Sequence, residues 1–168
     1  MKNIFAVIIL CISFFATVHA APIYVGLKID NDSTGGLLGY RISKTYALEA
    51  HYSRSDSDIS HAGVNVNSSI VSTSIVGAIM IPMKLNDVVP YHLFAKVGYQ
   101  RSTRKETYFI PSSVTLTLPY NDAITSYKNQ PILSLGAEYD VTKSVSGRMG
   151  IDFKGNDKIL NLSAIYKF

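Results

Sequence analysis

Residues 158–168 read KILNLSAIYKF. In an extended strand, successive side chains point to opposite faces. The residues that share one face here are Leu160, Leu162, Ala164, Tyr166 and Phe168. That face is apolar throughout, whereas the other is mixed. The pattern predicts a strand whose apolar face meets lipid and which closes a transmembrane barrel; the alternative is an edge strand of a soluble domain.

The composition is that of one domain with dispersed hydrophobicity. The 168 residues are 47% hydrophobic and 17% charged. Beyond the first twenty residues, no apolar run reaches the roughly 20 residues of a membrane helix. The net charge is only +4, and Lys and Arg do not cluster, so nucleic acid is not an expected partner.

The first twenty residues have the layout of a secretory signal peptide. Lys2 precedes an apolar core over residues 4–15, and small residues lead to Ala20. We therefore expect cleavage after Ala20, with residues 1–20 as signal peptide and 21–168 as the barrel domain. A membrane anchor is the alternative, but the apolar core is shorter than a span. The only cysteine, Cys11, lies in this segment, so the mature chain has no disulfide.

From Ala21 onward, alternation with period two predicts eight strands. These are residues 23–30, 36–42, 46–54, 70–81, 91–101, 132–141, 145–154 and 158–168. Two connections, residues 55–69 and 102–130, are long and are predicted to be loops on the same, outer side. Short turns on one side and longer loops on the other are typical of an all-β, eight-stranded, antiparallel up-and-down transmembrane barrel.

Aromatic residues lie near both ends of the predicted strands, on the apolar faces. Two rings at the two headgroup levels are typical of membrane barrels. The predicted girdle consists of Tyr40, Tyr46, Tyr91, Tyr139 and Tyr166 near the inner ends, and Tyr52, Tyr99 and Phe153 near the outer ends.

The opposite faces of the strands carry charges of both signs. The predicted lumen network is Lys28, Arg41, Glu49, Lys96, Glu138, Arg148 and Asp152. Short turns place Glu138 opposite Arg148, and Arg41 diagonal to Glu49, which favours pairing. Because eight strands enclose little space, we expect a closed polar core. The solvated face of a soluble sandwich is the alternative.

These residues give the chain a resemblance to a known family. IYVGLKID with GGLLGYRI, ALEAHYS, YHLFAKVGYQ, LSLGAEYD and LSAIYKF resemble the small outer-membrane barrels of the OmpA, OmpX and opacity-protein type. The resemblance covers residues 23–168 and implies a bacterial outer-membrane location. It also implies that Tyr166 and Phe168 form a signal for the barrel-assembly machinery. The peptidoglycan-binding domain that follows the OmpA barrel is not carried over.

No motif for catalysis, cofactor or metal stands out, and we expect no enzyme activity, cofactor or metal site. His51 and Ser53 are similar to the His-x-Ser pair of lipid A deacylases, but they alternate inward while Tyr52 points to lipid. Asp56, Asp58 and His61 have cation-binding chemistry, yet a solvated loop explains them more simply.

The expected function is an envelope-structural or surface-interaction role through the outer segments. Tyr108, Phe109 and Leu118 lie in a predicted hairpin above the membrane, where strand addition to a partner is a known recognition mode. A loop cap that packs on itself is the alternative. The expected partners are outer-membrane lipid and lipopolysaccharide, the assembly machinery and an extracellular protein or surface ligand. A lipid-modifying enzyme and a narrow channel are the alternatives.

Overall fold

The computed structural model describes residues 22–61, 64–85, 89–110 and 120–168. The strands within them are β1 Ile23–Asp30, β2 Thr34–Arg41, β3 Tyr46–His61, β4 Val64–Leu85, β5 Val89–Ile110, β6 Tyr120–Asp140, β7 Val145–Lys154 and β8 Asp157–Lys167. The predicted signal peptide lies outside the described residues. The described segments contain no helix long and apolar enough to cross a membrane.

The eight strands form one closed sheet. Each strand pairs antiparallel with its neighbour in sequence, and β8 returns to β1. Val25 lies opposite Leu38 on β2 and Tyr166 on β8, so the first strand is paired on both sides. Because the sheet is closed, every strand has two neighbours, and the backbone N–H and C=O groups form the hydrogen bonds that hydrocarbon cannot supply. The predicted up-and-down barrel is confirmed; we call the end with Pro22 and Phe168 the inner end.

Side chains alternate between an apolar outer surface and a charged lumen. Leu27, Ile75 and Val97 are 71%, 64% and 66% exposed, whereas Glu49 and Glu138 are 1% and 0% exposed. A soluble barrel has the reverse arrangement, with its apolar side chains inside. An apolar outer surface around a polar interior is the arrangement of a transmembrane barrel.

Short polar residues close the turns. Ser43 Oγ accepts hydrogen bonds from the backbone N–H groups of Thr45 and Tyr46, both at 3.1 Å. Thr142 Oγ1 makes equivalent bonds in the β6–β7 turn. Hydroxyl groups that bond to the backbone two or three residues ahead are typical of tight turns. At the outer end, Gly155 adopts a φ of 63°, a conformation that favours glycine.

The prediction of loops over residues 55–69 and 102–130 is wrong where the structure describes these segments, although Tyr108 and Phe109, predicted in a hairpin, do lie in a strand, β5. β3 to β6 contain 16, 22, 22 and 21 residues, compared with 8, 8, 10 and 11 in β1, β2, β7 and β8. Pairing continues without a break from Arg54↔Val71 to His61↔Val64. Both faces of these segments meet water, so no apolar alternation marks them, and backbone pairing holds them as strands.

The four long strands rise as a sheet above the outer end of the barrel. At the tilt of about 40° found in such barrels, 22 residues reach about 55 Å in height, roughly twice the apolar band. Pairing of β2 with β3 stops at Thr34↔Arg54, and pairing of β6 with β7 stops at Leu133↔Phe153. We call the rising part the raised sheet; it comprises residues 54–61, 64–74, 99–110 and 120–132.

Glycines inside the barrel make room for two large inward side chains. A Cβ added at Gly39 would lie 2.1 Å from Tyr24 Cζ, and one at Gly136 would lie 2.5 Å from Phe94 Cζ. Tyr24 and Phe94 are 2% and 4% exposed. The aromatic rings therefore fill the lumen against glycine backbone.

Gly39→Ala is expected to lower the free energy of unfolding by about 1–3 kcal/mol, because the added carbon displaces the Tyr24 ring. Gly147→Ala is the matched control, since a Cβ there meets nothing within 4 Å. Urea unfolding of the refolded barrel, followed by circular dichroism, measures both. Equal unfolding midpoints for the two variants would contradict this packing.

Candidate functional site

Glu49 is the centre of the lumen. Its Oε1 accepts hydrogen bonds from Tyr24 Oη at 2.6 Å and Arg148 Nη1 at 2.8 Å. Its Oε2 lies 2.7 Å from Lys96 Nζ and 2.8 Å from His51 Nε2. These partners come from β1, β7, β5 and β3 itself, so one carboxylate ties together strands from around the whole barrel.

Glu138 forms a second centre nearer the inner end. Arg148 Nη2 and Nε donate to its Oε2 at 2.6 and 3.1 Å. Its Oε1 accepts from Arg41 at 2.9 Å and from Ser146 at 3.3 Å, with Lys167 Nζ 2.7 Å away. Glu138 lies opposite Arg148, as expected. Arg41 lies opposite Ala47 and therefore diagonal to Glu49, as expected, but it forms its ion pair with Glu138.

A third cluster lies towards the outer end. Lys28 Nζ bonds to Asp152 Oδ2 at 2.6 Å and lies 3.2 Å from Asp30. Asn161 donates to Asp152 Oδ1 at 2.8 Å, and Lys154 is 4.0 Å from the same carboxylate. Positive and negative groups alternate along this side of the lumen, so the charges offset one another.

Arg148 joins the first two clusters and is almost completely buried. Its side chain is 1% exposed, and the carboxylates of Glu49 and Glu138 are 0% exposed. Its guanidinium also lies 5.1 Å from the centre of the Phe94 ring and 5.9 Å from that of Tyr24. Buried ions are tolerated where ion pairs and hydrogen bonds compensate for lost hydration, and here every charged group has such partners.

The lumen holds more residues than the sequence prediction named. All the predicted members, Lys28, Arg41, Glu49, Lys96, Glu138, Arg148 and Asp152, line it. The additional bonded members include Tyr24, Asp30, His51, Ser146, Lys154, Asn161 and Lys167. Each alternates inward with the predicted set. Assigning every polar residue on the inward face of each strand to the lumen network would have found them.

His51 and Ser53 line a cavity of about 10 Å³ between the Glu49 and Asp152 clusters. A cavity of this size holds about one water molecule. The ring of His51 is bound to Glu49, and Tyr52 is 50% exposed on the outer surface. His51 and Ser53 therefore face the lumen, whereas the substrate of a lipid A deacylase would lie in the membrane outside the barrel.

His92, Glu138 and Asp140 at the inner end bring three potential metal-ligating atoms within 4.8 Å of one another. The Lys167 ammonium already contacts both carboxylates. A protein cation thus occupies the position that a metal ion would take. The group is accounted for as part of the lumen ion pairs.

The aromatic girdle residues lie on the outer surface. Tyr40, Tyr46, Tyr52, Tyr99, Tyr139 and Tyr166 are 47–56% exposed, and Tyr91 and Phe153 are partly exposed. Tyr166 and Phe168 meet edge to face, with ring centres 5.1 Å apart. Tyr127 on β6, which the sequence prediction did not name, is 64% exposed.

The outer residues singled out from the sequence fall into two groups. The Tyr108 hydroxyl donates to the Glu106 carboxylate, which raises the pKa of Tyr108. Phe109 is 43% exposed, and Leu118 lies outside the described residues.

On β3, Asp56 accepts two hydrogen bonds from Arg54 Nε, at 2.8 and 3.1 Å. Bonds from Arg54 and Ser69 lower the pKa of Asp56. Asp58 is exposed, and the side chain of His61 lies outside the described part of the chain. Asp56 is thus engaged by a protein cation.

Arg148→Met is expected to lower the free energy of unfolding by about 3–5 kcal/mol, because it leaves two buried carboxylates short of a partner. Urea unfolding in detergent micelles measures the change. Glu138→Gln/Arg148→Met should recover part of the loss, since one carboxylate is then neutral. Arg54→Met is the control, because the side chains of the Arg54–Asp56 pair are 57% and 55% exposed. A midpoint for Arg148→Met equal to that of the control would contradict the role of the network.

Comparison with known proteins supports the fold. No family model and no curated protein matches the sequence. The barrel domain of Pseudomonas aeruginosa OprF superposes with a TM-score of 0.54 at 14% identity, covering 87% of this chain and 95% of that one. Neisserial surface protein A gives 0.49 at 16% identity, covering 90% and 100%, and Ail of Yersinia pestis gives 0.48 at 8%, covering 87% and 93%. The expected resemblance is confirmed at the level of fold: the chain is an eight-stranded β-barrel of the outer-membrane type.

Proposed function

We propose that this chain is a non-enzymatic protein of the bacterial outer membrane that acts through its raised sheet. The observation that carries the proposal is the continuation of β3–β6 beyond their short neighbours. The apolar outer surface and the aromatic girdle support insertion in a membrane. The fold shared with OprF supports the outer membrane as its location.

The raised sheet offers two unpaired edges to a partner. No described strand pairs with residues 55–61 of β3 on its β2 side, or with residues 120–132 of β6 on its β7 side. Such edges carry backbone donors and acceptors that accept an additional strand. Ile59, Ile124, Tyr127 and Phe109 are 58%, 52%, 64% and 43% exposed and supply apolar contacts beside these edges. An extended segment of another protein is the partner that this surface fits.

A lipid-modifying activity has little support from the lumen geometry. His51 is held by Glu49 at 2.8 Å. Ser53 adjoins a cavity of about 10 Å³, far smaller than an acyl chain. Catalysis on lipid also requires the reacting groups to face the bilayer, and these face inward.

A channel function is disfavoured by the same lumen. Arg148 spans from Glu49 to Glu138, and the Tyr24 and Phe94 rings fill the space around its guanidinium. An ion would have to displace ion pairs at 2.6–2.9 Å. We therefore propose that the lumen is a structural core.

Export and assembly complete the proposal. Residues 1–20 would direct export and be removed, leaving residues 21–168. Tyr166 and Phe168, whose rings meet at the inner end of β8, would be read by the barrel-assembly machinery. Both roles are those expected from the sequence.

Shortening the raised sheet tests the proposed surface. Replacing residues 55–70 and 104–126 with Asn-Gly turns joins the paired positions Arg54↔Val71 and Thr103↔Tyr127 by two-residue hairpins. The shortened barrel should fractionate with the outer membrane and migrate differently on gels when unboiled, as the full chain should. Attachment to cultured epithelial cells, to immobilised matrix protein and to plastic is then measured. In at least one of these three assays, cells that display the shortened barrel should attach less than cells that display the full chain. Equal attachment in all three assays at equal surface levels would contradict the proposal.

The full chain is expected to give no steady current in planar bilayers, because the ion pairs and rings close the lumen. Arg148→Ser/Phe94→Ala removes two of the closing side chains and should produce measurable current if it still inserts. Steady current from the unaltered protein would show that the lumen is a pore.

A further inference from the structure

The outer surface changes character just beyond the outer aromatic residues. Tyr52 and Tyr99 are 50% and 56% exposed. Two residues further out on the same strands and the same face are Arg54 and Arg101, and Lys105 follows four residues beyond Arg101. A face that is apolar within the membrane thus becomes basic at the level where headgroups begin.

The strand register gathers these three cations around Thr103. Arg101 and Lys105 are each two residues, about 7 Å, from Thr103 along β5. Thr103 lies opposite Val71, and Val71 opposite Arg54, which places Arg54 two strands, roughly 10 Å, to the side. The cations therefore occupy one patch on one face.

Among the described residues, two of the three cations have no counter-ion. The Arg101 guanidinium lies 5.3 Å from the centre of the exposed Tyr127 ring. In the described part of the chain, neither Arg101 nor Lys105 forms an ion pair, whereas Arg54 is paired with Asp56 at 2.8 Å. On the opposite face, Arg104 is neutralised by Glu106 at 2.6 Å. The patch thus presents unpaired positive charge on the face of β5 that, within the membrane, contacts lipid.

We propose that Arg101, Lys105 and Arg54 bind the phosphate groups of a phosphorylated glycolipid in the outer leaflet. Guanidinium and ammonium groups form strong charge-assisted bonds with phosphate oxygens. The patch continues the surface that contacts lipid, so a lipid in the same membrane reaches it without leaving the bilayer. The site rests on the proposed membrane location and assigns specific residues to the lipopolysaccharide that the sequence leads us to expect as a partner.

The test uses the full-length mature chain in phosphatidylcholine bilayers that contain lipopolysaccharide. The barrel is extracted in mild detergent, and the lipopolysaccharide that remains bound is counted. Arg101→Gln/Lys105→Gln should retain about thirtyfold less than the unaltered protein, as expected for the loss of two cations near a charged membrane surface. Dephosphorylated lipopolysaccharide should not be retained by either protein.

Lys128→Gln is the matched control. Lys128 is an exposed cation of the same sheet, but it lies opposite Ser102, on the face that continues the lumen. This variant should retain lipopolysaccharide like the unaltered protein. Equal losses in control and double variant, or no loss in the double variant, would overturn the site.

Three further outcomes separate this site from its alternatives. If the double variant loses binding to soluble heparin but keeps lipopolysaccharide, the patch serves a soluble polyanion and the lipid assignment is wrong. If the unaltered chain does not enter bilayers, as judged by its gel mobility, the membrane location fails and the site with it. Insertion without retention of lipopolysaccharide overturns the site alone.

Discussion

The bridge from Glu49 through Arg148 to Glu138 is the interaction on which the barrel depends. A closed sheet in lipid must turn its apolar side chains outward, so polar residues remain for an interior only a few side chains wide. Charges placed there lose their hydration and are stable only when bonded to one another. Arg148 meets this requirement by donating to two carboxylates. Arg41, Lys96 and Lys167 supply the remaining positive charge.

The raised sheet uses the same strands under a different constraint. Inside the membrane, every strand needs two neighbours, because unpaired backbone groups are costly there. Above the membrane, water satisfies them, and β3–β6 continue while β2 and β7 end. Leu133 is the outermost residue of β6 that pairs with β7. Pro131, which has no backbone N–H, lies two residues further out on β6. The pairings of β3 with β4, β4 with β5 and β5 with β6 thus continue from the closed barrel into the open, four-stranded raised sheet.

The barrel was predictable because alternation recurs in every membrane-spanning segment. Leu27, Ile75 and Val97 face out and Glu49 and Glu138 face in, and the parity of the sequence indicates both. The partner of Arg41 was not predictable, because its ion pair with Glu138 crosses the lumen between strands far apart in sequence. Apart from the hairpin predicted around Tyr108 and Phe109, the outer strands were missed because serine and charged residues on both faces leave no apolar pattern. Their pairing depends on neighbouring strands.

Side chains alternate between the two faces of β5 without interruption from the barrel into the raised sheet. This continuity limits how the surface of the raised sheet can change. The alternation that sends Val97 to lipid also sends Arg101 and Lys105 to the outer face, because no described break in β5 separates them. Insertion of one residue into β5 above Tyr99 would move every later side chain to the opposite face. Paired insertions of two residues in adjoining strands would raise the sheet and leave its faces unchanged. The height of the surface can therefore vary by whole pleats without any change in the membrane-spanning wall.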